Sequence, residues 1–451
     1  MLSRLHVTTI LVISFVTAIL TGAFLLMLPM ASRGHGLSFL DALFTSASAV
    51  CVTGLTVVDT GSYMTFFGQT VVLVLIQLGG LGVMTVSLMI FQILGKNISF
   101  RQRMVMQEVY THTPRKDILK IVNKVILFTF ISEAIGIVSL FLYWSSRFPW
   151  EKALYYACFH SVSAFCNAGF SLFSDSLTMD QAAWFPNLVF CFLIIAGGIG
   201  FPVLYEIHLH IVSRSKRKKR FSVQTKTVLW TSAVLTFAGA LFFFVLEYNS
   251  ILEKFPLSTK ILISLFQSVT ARTAGFNTID IGTLNDSTLF FMLFLMFFGA
   301  SPGSCGGGVK TTTLALIAAF VKGRLSHHKR VNLFKKSIPN STVTRSLSLL
   351  LLSFSTILLI LFIIIVGESI LQGGMIIHQK GFLAYLFETV SAFGTVGLST
   401  GITSSLTYWG KFWIIVMMLI GRVGVLTFTY VFVGKEPDRG IEYSEENVMI
   451  G

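Results

Sequence analysis

FTSASAVCVTGLT, at residues 44–56, is the first of four stretches in this chain that share one pattern. The second is FHSVSAFCNAGFS at 159–171, and the fourth is FETVSAFGTVGLS at 387–399. The third, FQSVTARTAGFN at 266–277, is one residue shorter ahead of its glycine. Aligned on that glycine, the stretches place Gly54, Gly169, Gly275 and Gly397 at spacings of 115, 106 and 122 residues. A period of that length is a whole supersecondary unit. One such glycine alone reads as a tight turn or a helix contact, but four at matching places point to a shared role.

The surroundings of these stretches are strongly apolar. The chain is 54% hydrophobic and only 12% charged, with mean hydropathy +0.78. A soluble protein of ordinary composition carries roughly twice that charged fraction. Segments 7–30, 121–144, 227–247, 346–372 and 410–433 are almost free of charge. Each is long enough to cross about 30 Å of hydrocarbon at about 1.5 Å per residue. The chain therefore reads as a polytopic membrane protein. Segment 7–30 lacks an A-x-A cleavage site and reads as a first span, not a signal peptide.

Charge placement sets the topology. The net charge of +14 invites a nucleic-acid reading, but segments 95–118, 214–220 and 321–345 hold 18 Lys and Arg in 56 residues. The alternating segments 31–65, 146–182, 248–285 and 373–411 hold 8 in 149. Such asymmetry marks the basic segments as cytoplasmic, with the amino terminus on the same side. The run RSKRKKR at 214–220 is a topology anchor that can touch anionic lipid. Cys51, Cys158, Cys166, Cys191 and Cys305 show no metal-ligand spacing and read as small buried hydrophobes.

Each glycine stretch then lies in a segment on the outer side that is too apolar for a loop and too short to span. The unit reads span, short helix dipping back, glycine-centred turn, span. Two spans per unit start every unit on the cytoplasmic side, so four parallel units can surround one axis. Carriers built from inverted repeats need an odd number. Irregular backbone at membrane depth survives where protein or a watery cavity covers it, and a ring of its carbonyls can replace the hydration shell of potassium. The residues leading to each glycine are small: Val52-Thr53-Gly54, Asn167-Ala168-Gly169, Thr273-Ala274-Gly275 and Thr395-Val396-Gly397. The short helices aim their negative dipole ends at the same place.

These stretches, with the following IQLGGLGVMT, AGGIGF, GGGVKTTT and IGRVGVLTF, resemble the Trk/Ktr/HKT superfamily of potassium transporters over essentially the full length. The likeness is greatest to the membrane subunits of the Ktr type. The resemblance implies potassium selectivity, because all four filter positions are glycine, whereas a serine at the first goes with sodium preference in plant relatives. It also implies a homodimer with a pore in each protomer, and a separate cytosolic nucleotide-binding ring of the RCK type (KtrA-like) docked on the basic segments.

Residues 287–321 would make a helix of about 52 Å, longer than a bilayer is thick. Its centre, GASPGSCGGGV at 299–309, breaks it. A packing kink is the plain alternative; a gate loop below the filter, built on Gly303, Gly306, Gly307 and Gly308, is the preferred reading and the one the resemblance implies. Arg422 lies centrally in the last span and is expected to face the cavity, bonding gate-loop carbonyls and opposing cations. Lys310 joins the gate set, with the cytoplasmic end of its half-helix as an alternative location. Arg272 is expected to brace the third pore loop from behind. Glu133 and Glu206 are either counter-charges or interface residues. The string GSCGGGVKT at 303–311 misses a nucleotide-binding loop by one residue and follows no strand, so no enzyme is expected.

The expected fold is all-α, with eight full spans and four re-entrant helices around a pseudo-fourfold pore. The units are 1–95, 96–213, 214–323 with the gate loop, and 324–434, followed by a tail at 435–451 that reaches a dimer interface. The expected activity is channel-like potassium uptake in a bacterial plasma membrane, with both termini cytoplasmic, sodium as a candidate activator and no cofactor in this chain. A sodium–potassium symporter and a non-transporting scaffold are the alternatives.

Overall fold

The computed structural model describes residues 7–34, 36–82, 85, 118–212, 220–327, 330–372 and 381–433. Most of basic segments 95–118 and 214–220, and the tail 435–451, lie outside the described residues.

Among the described residues four long helices are apolar enough to cross a membrane: α1 (Val7–Met27), α4 (Ile118–Trp144), α8 (Val223–Glu247) and α12 (Asn340–Gln372). Large apolar side chains such as Phe24, Val138, Phe237 and Phe362 stand exposed along them, as lipid-facing surfaces require. Four short helices follow them: α2 (Phe39–Val50), α5 (Trp150–Phe165), α9 (Leu257–Thr270) and α13 (Phe382–Gly394). Most residues of their C-terminal halves are buried. Caps fix where they begin. The Ser38 hydroxyl accepts from the Asp41 N–H at 3.2 Å, and Pro149 and Pro256 precede α5 and α9.

The next helices are α3 (Phe66–Leu81), α6 (Trp184–Ile199), α10 (Asp286–Phe297) and α14 (Tyr408–Val423). They hold 16, 16, 12 and 16 residues, about 18–24 Å each, short of the bilayer core. The apolar run 410–433, expected as one span, is broken. Gly424 at φ +94° ends α14, and α15 (Val425–Val433) starts anew. Gly200 at φ +99° ends α6, and α7 (Phe201–Val212) leaves at 100° to it. Gly82 at φ +83° ends α3 in the same way. Left-handed backbone is cheap for glycine, so these residues terminate helices that hydropathy alone reads as continuous. In the third case a loop separates α10 from α11 (Thr311–Leu325), as expected.

Packing closes a circle. Helix α5 packs on α3, α9 on α6, α13 on α10, and α2 on α14, so each short helix leans on the helix that ends the preceding segment. Buried carboxylates fasten the ends of α8 and α12 to the helices beside them. Glu247 accepts from Asn285 N–H at 3.1 Å and from the Thr288 hydroxyl. Glu368 accepts from Thr407 N–H at 2.9 Å and its hydroxyl at 2.7 Å. The all-helical expectation needs one small amendment: Asn332–Leu333 and Lys336–Ser337 pair as a two-stranded hairpin between α11 and α12.

Candidate functional site

The short helices aim their C-terminal ends at one place. Beyond each, the chain repeats one backbone signature. Val52, Asn167, Thr273 and Thr395 take φ of 58°, 60°, 74° and 50°, although none is glycine. Two residues on, Gly54, Gly169, Gly275 and Gly397 take φ of 94°, 70°, 80° and 88°. Left-handed conformations at β-branched residues cost energy and persist only where surrounding packing imposes them.

The four glycines follow one another around a ring. A β-carbon built on Gly54 would stand 2.5 Å from the Ala168 carbonyl oxygen. One on Gly169 would stand 2.9 Å from that of Ala274, and one on Gly275 would stand 2.7 Å from that of Val396. One on Gly397 would strike the Thr53 carbonyl, which closes the circle. The carbonyls preceding the glycines therefore meet in a tight quartet where no side chain fits. A cavity of about 360 Å³ opens above it, lined by all four glycines together with Asp59 and Asp280. Burial pushes the Asp59 carboxyl up, but hydrogen bonds from Ser174, Ser62 and Gly61 outweigh that and hold it below the usual carboxylate range.

A hydroxyl near the end of each short helix ties its segment. Ser48 and Ser391 accept from the N–H groups of Gly54 and Gly397, each at 3.1 Å. Ser163 and Thr270 instead donate to the carbonyls of Phe170 and Phe276, at 2.8 and 2.6 Å. Arg272 is buried and donates to the Ser232 carbonyl of α8 at 2.8 Å, so it points away from the ring into the helix behind, the placement expected of a brace.

Below the ring lies the loop between α10 and α11. Gly307 N–H donates to the Thr395 hydroxyl at 2.9 Å, and a β-carbon on Gly306 would strike the Thr273 hydroxyl. The loop is stitched to helix ends on two sides. Cys305 N–H donates to the Gly197 carbonyl at 3.1 Å, Ser301 N–H to that of Gly198 at 3.0 Å, and Phe201 N–H to that of Gly303 at 2.8 Å. Gly308 N–H reaches the Gly421 carbonyl at 3.4 Å.

Two cations grip its carbonyls. Lys310 Nζ donates to Gly306 O at 2.8 Å and Gly307 O at 3.2 Å, so it turns into the loop and not toward the far end of α11. Arg422 donates through Nη1 to Cys305 O and through Nη2 to Gly79 O. Of the two candidate counter-charges, Glu206 is engaged by Ser222 and Thr225, with Ser222 N–H at 2.7 Å. Glu133 is buried in α4 beside α5.

One set of residues was legible but overlooked. Gly79, Gly197 and Gly421 stand three residues before the breaks at Gly82, Gly200 and Gly424. A β-carbon on each would strike the carbonyl of Val50, Phe165 or Phe393, near the end of the adjacent short helix. The shared spacing, Gly-x-x-Gly in GGLG, GGIG and GRVG, was the available signal, and it aligns Arg422 with Gly80 and Gly198.

A family model, TrkH, described as a cation transport protein, matches residues 4–442. The chain is 41% identical over 444 residues to the Ktr system potassium uptake protein B of Bacillus subtilis (strain 168), covering 98% of this chain and 96% of that protein. It is 36% identical over 452 residues to the potassium/sodium uptake protein NtpJ of Enterococcus hirae, covering 99% and 98%. Among solved structures, the potassium transporter TrkH from Vibrio parahaemolyticus superposes with a TM-score of 0.71 at 19% identity, over 95% of this chain and 84% of that one. That last likeness is one of fold.

Proposed function

The chain belongs to the TrkH family of cation transport proteins and is an integral membrane protein, and on that premise we propose that it is the pore-forming subunit of a bacterial potassium-uptake system. The observation that carries this reading is the closed succession of Gly54, Gly169, Gly275 and Gly397, with the Thr53, Ala168, Ala274 and Val396 carbonyls between them. Backbone oxygens gathered where no side chain fits are suited to a dehydrated potassium ion. The names of the Bacillus subtilis and Enterococcus hirae relatives agree with potassium as cargo.

In this reading the chain makes four parallel units, 1–95, 96–213, 214–323 and 324–434, giving eight passages through the bilayer and four re-entrant helices. Both termini lie in the cytoplasm, and the tail 435–451 contributes to a homodimer. Gly303, Gly306, Gly307, Gly308, Lys310 and Arg422 form the gate. With the loop seated against Thr273 and Thr395, the path below the filter is obstructed, and Arg422 and Lys310 add a positive barrier. Opening requires the loop to release carbonyls that these cations hold. An RCK-type nucleotide-binding ring, docked on the basic cytoplasmic segments, supplies the work. Sodium is an activator in this scheme. Coupled sodium–potassium symport is the second reading, favoured by the potassium/sodium name of the Enterococcus hirae relative.

Reconstituted vesicles test the reading. Potassium flux should follow the potassium gradient, with a reversal potential unmoved by sodium at fixed potassium. A reversal potential that shifts with sodium would establish coupled transport, and absence of potassium flux with the cytosolic ring present would sink both readings.

A further inference from the structure

Resting on the potassium-pore reading, we propose that Glu388 is a positioning residue for selectivity: its buried carboxylate clamps the chain leaving the fourth filter segment. Glu388 follows the phenylalanine that opens that stretch, so its counterparts are Thr45, His160 and Gln267. All four are buried, yet they hold the outgoing chain with very different strength.

The Thr45 hydroxyl is spent on its own helix, donating to the Asp41 carbonyl at 2.8 Å. Gln267 Nε2 makes one contact, to the Thr278 hydroxyl at 3.3 Å. His160 Nδ1 lies 2.8 Å from the Tyr156 carbonyl and so carries the proton, which leaves Nε2 to accept from the Ser171 hydroxyl at 3.1 Å and from Leu172 N–H at 3.3 Å. Glu388 alone holds three groups. Its Oε1 accepts from the Ser399 hydroxyl and from Thr400 N–H at 3.1 Å, and its Oε2 accepts from the Thr403 hydroxyl at 2.8 Å. Ser399 and Thr403 also lie 3.0 Å apart, and Gly401 N–H donates to Ser399 at 2.9 Å. Among the described residues no cation forms an ion pair with Glu388. The carboxylate therefore serves the loop alone.

This clamp grips residues 399–403 immediately beyond Gly397, while Ser391 holds Gly397 N–H from the filter side. The fourth segment is thereby pinned at both ends. Three groups held by one buried side chain, against two at His160, one at Gln267 and none beyond its own helix at Thr45, make this the most heavily anchored of the four segments. A carbonyl held in place discriminates between ions of different radius better than one free to follow the ion inward. Glu388 touches no ion in this scheme and acts through the backbone of Val396 and Gly397.

The test is the potassium-over-sodium permeability ratio of full-length chain in reconstituted vesicles, at matched protein content and with the unfolding temperature recorded. Glu388→Gln should lower the ratio roughly tenfold, the size of one lost hydrogen bond, while potassium flux persists. Thr403→Val removes a donor from the other side and should lower the ratio in the same direction, which keeps the test open if Glu388→Gln fails to insert. Thr45→Ala should lower it less than either. A wild-type chain without potassium selectivity would overturn the pore reading and this inference with it. A selective wild type beside equally selective Glu388→Gln and Thr403→Val would overturn the inference alone.

Discussion

Arg422 donates a hydrogen bond to the carbonyl oxygen of Cys305, 117 residues earlier in the chain. Its second nitrogen reaches the carbonyl of Gly79, so one guanidinium ties the end of α14 to the loop and to the end of α3. A charge at this depth is expensive unless partnered, and these backbone carbonyls supply partners. In the proposed gate the residue would meet two demands together, holding the loop and presenting a barrier to cations.

Arg422→Ala should raise potassium flux in the absence of any cytosolic partner, by tenfold or more. Two hydrogen bonds to a charged group are lost, each worth about 1.5–3 kcal/mol. Flux no faster than wild type in reconstituted vesicles would remove Arg422 from the gate. Deleting 303–308 should give the same result by a different route.

Lys310→Met should also raise basal flux, by less than Arg422→Ala, because its two bonds run within the loop and its own helix start. Cys305, Gly306 and Gly307 are consecutive, so the two cations grip one piece of backbone. The double variant should therefore depart from additivity by about 0.5–3 kcal/mol. Strict additivity in the flux ratios would mean that the two side chains act on separate elements.

Gly54→Ser should reduce potassium-over-sodium discrimination roughly tenfold, on the order of 1.4 kcal/mol. The glycine sits at φ +94°, and a β-carbon there would crowd the Ala168 carbonyl at 2.5 Å. Paired ion-flux measurements decide this, and unchanged discrimination would count against Gly54 as a filter residue.

Gly197→Ala should cost stability by about 1–3 kcal/mol, the usual penalty for overpacking. Its β-carbon would meet the Phe165 carbonyl, and neither helix can retreat without disturbing the ring. Thermal unfolding in detergent should show a lower midpoint, with Gly421→Ala behaving alike against Phe393. The control is Gly323→Ala, on a helix surface with nothing near its β-carbon, where little change is expected.

The sequence by itself determined the membrane class, the four glycine stretches, the interruption at 299–309 and the isolation of Arg422 in an apolar run. Those features are local: hydropathy, spacing and a charge out of place each declare themselves within a window of residues. The structure also brings together what spacing could only align, since Gly54 and Gly397 become neighbours across the whole chain. The tertiary structure alone decided the order of the segments around the ring, the partners of Arg422 and Lys310, and the clamp at Glu388. The order of the segments and the bonds of Arg422 depend on contacts between residues a hundred or more positions apart, and those of Lys310 and Glu388 on how a nearby loop folds back, neither of which periodicity records. The breaks at Gly82, Gly200 and Gly424 fall between these cases. Membrane helices tolerate glycine, so hydropathy passes over it, and only packing against the short helices decides whether a glycine continues a helix or ends it.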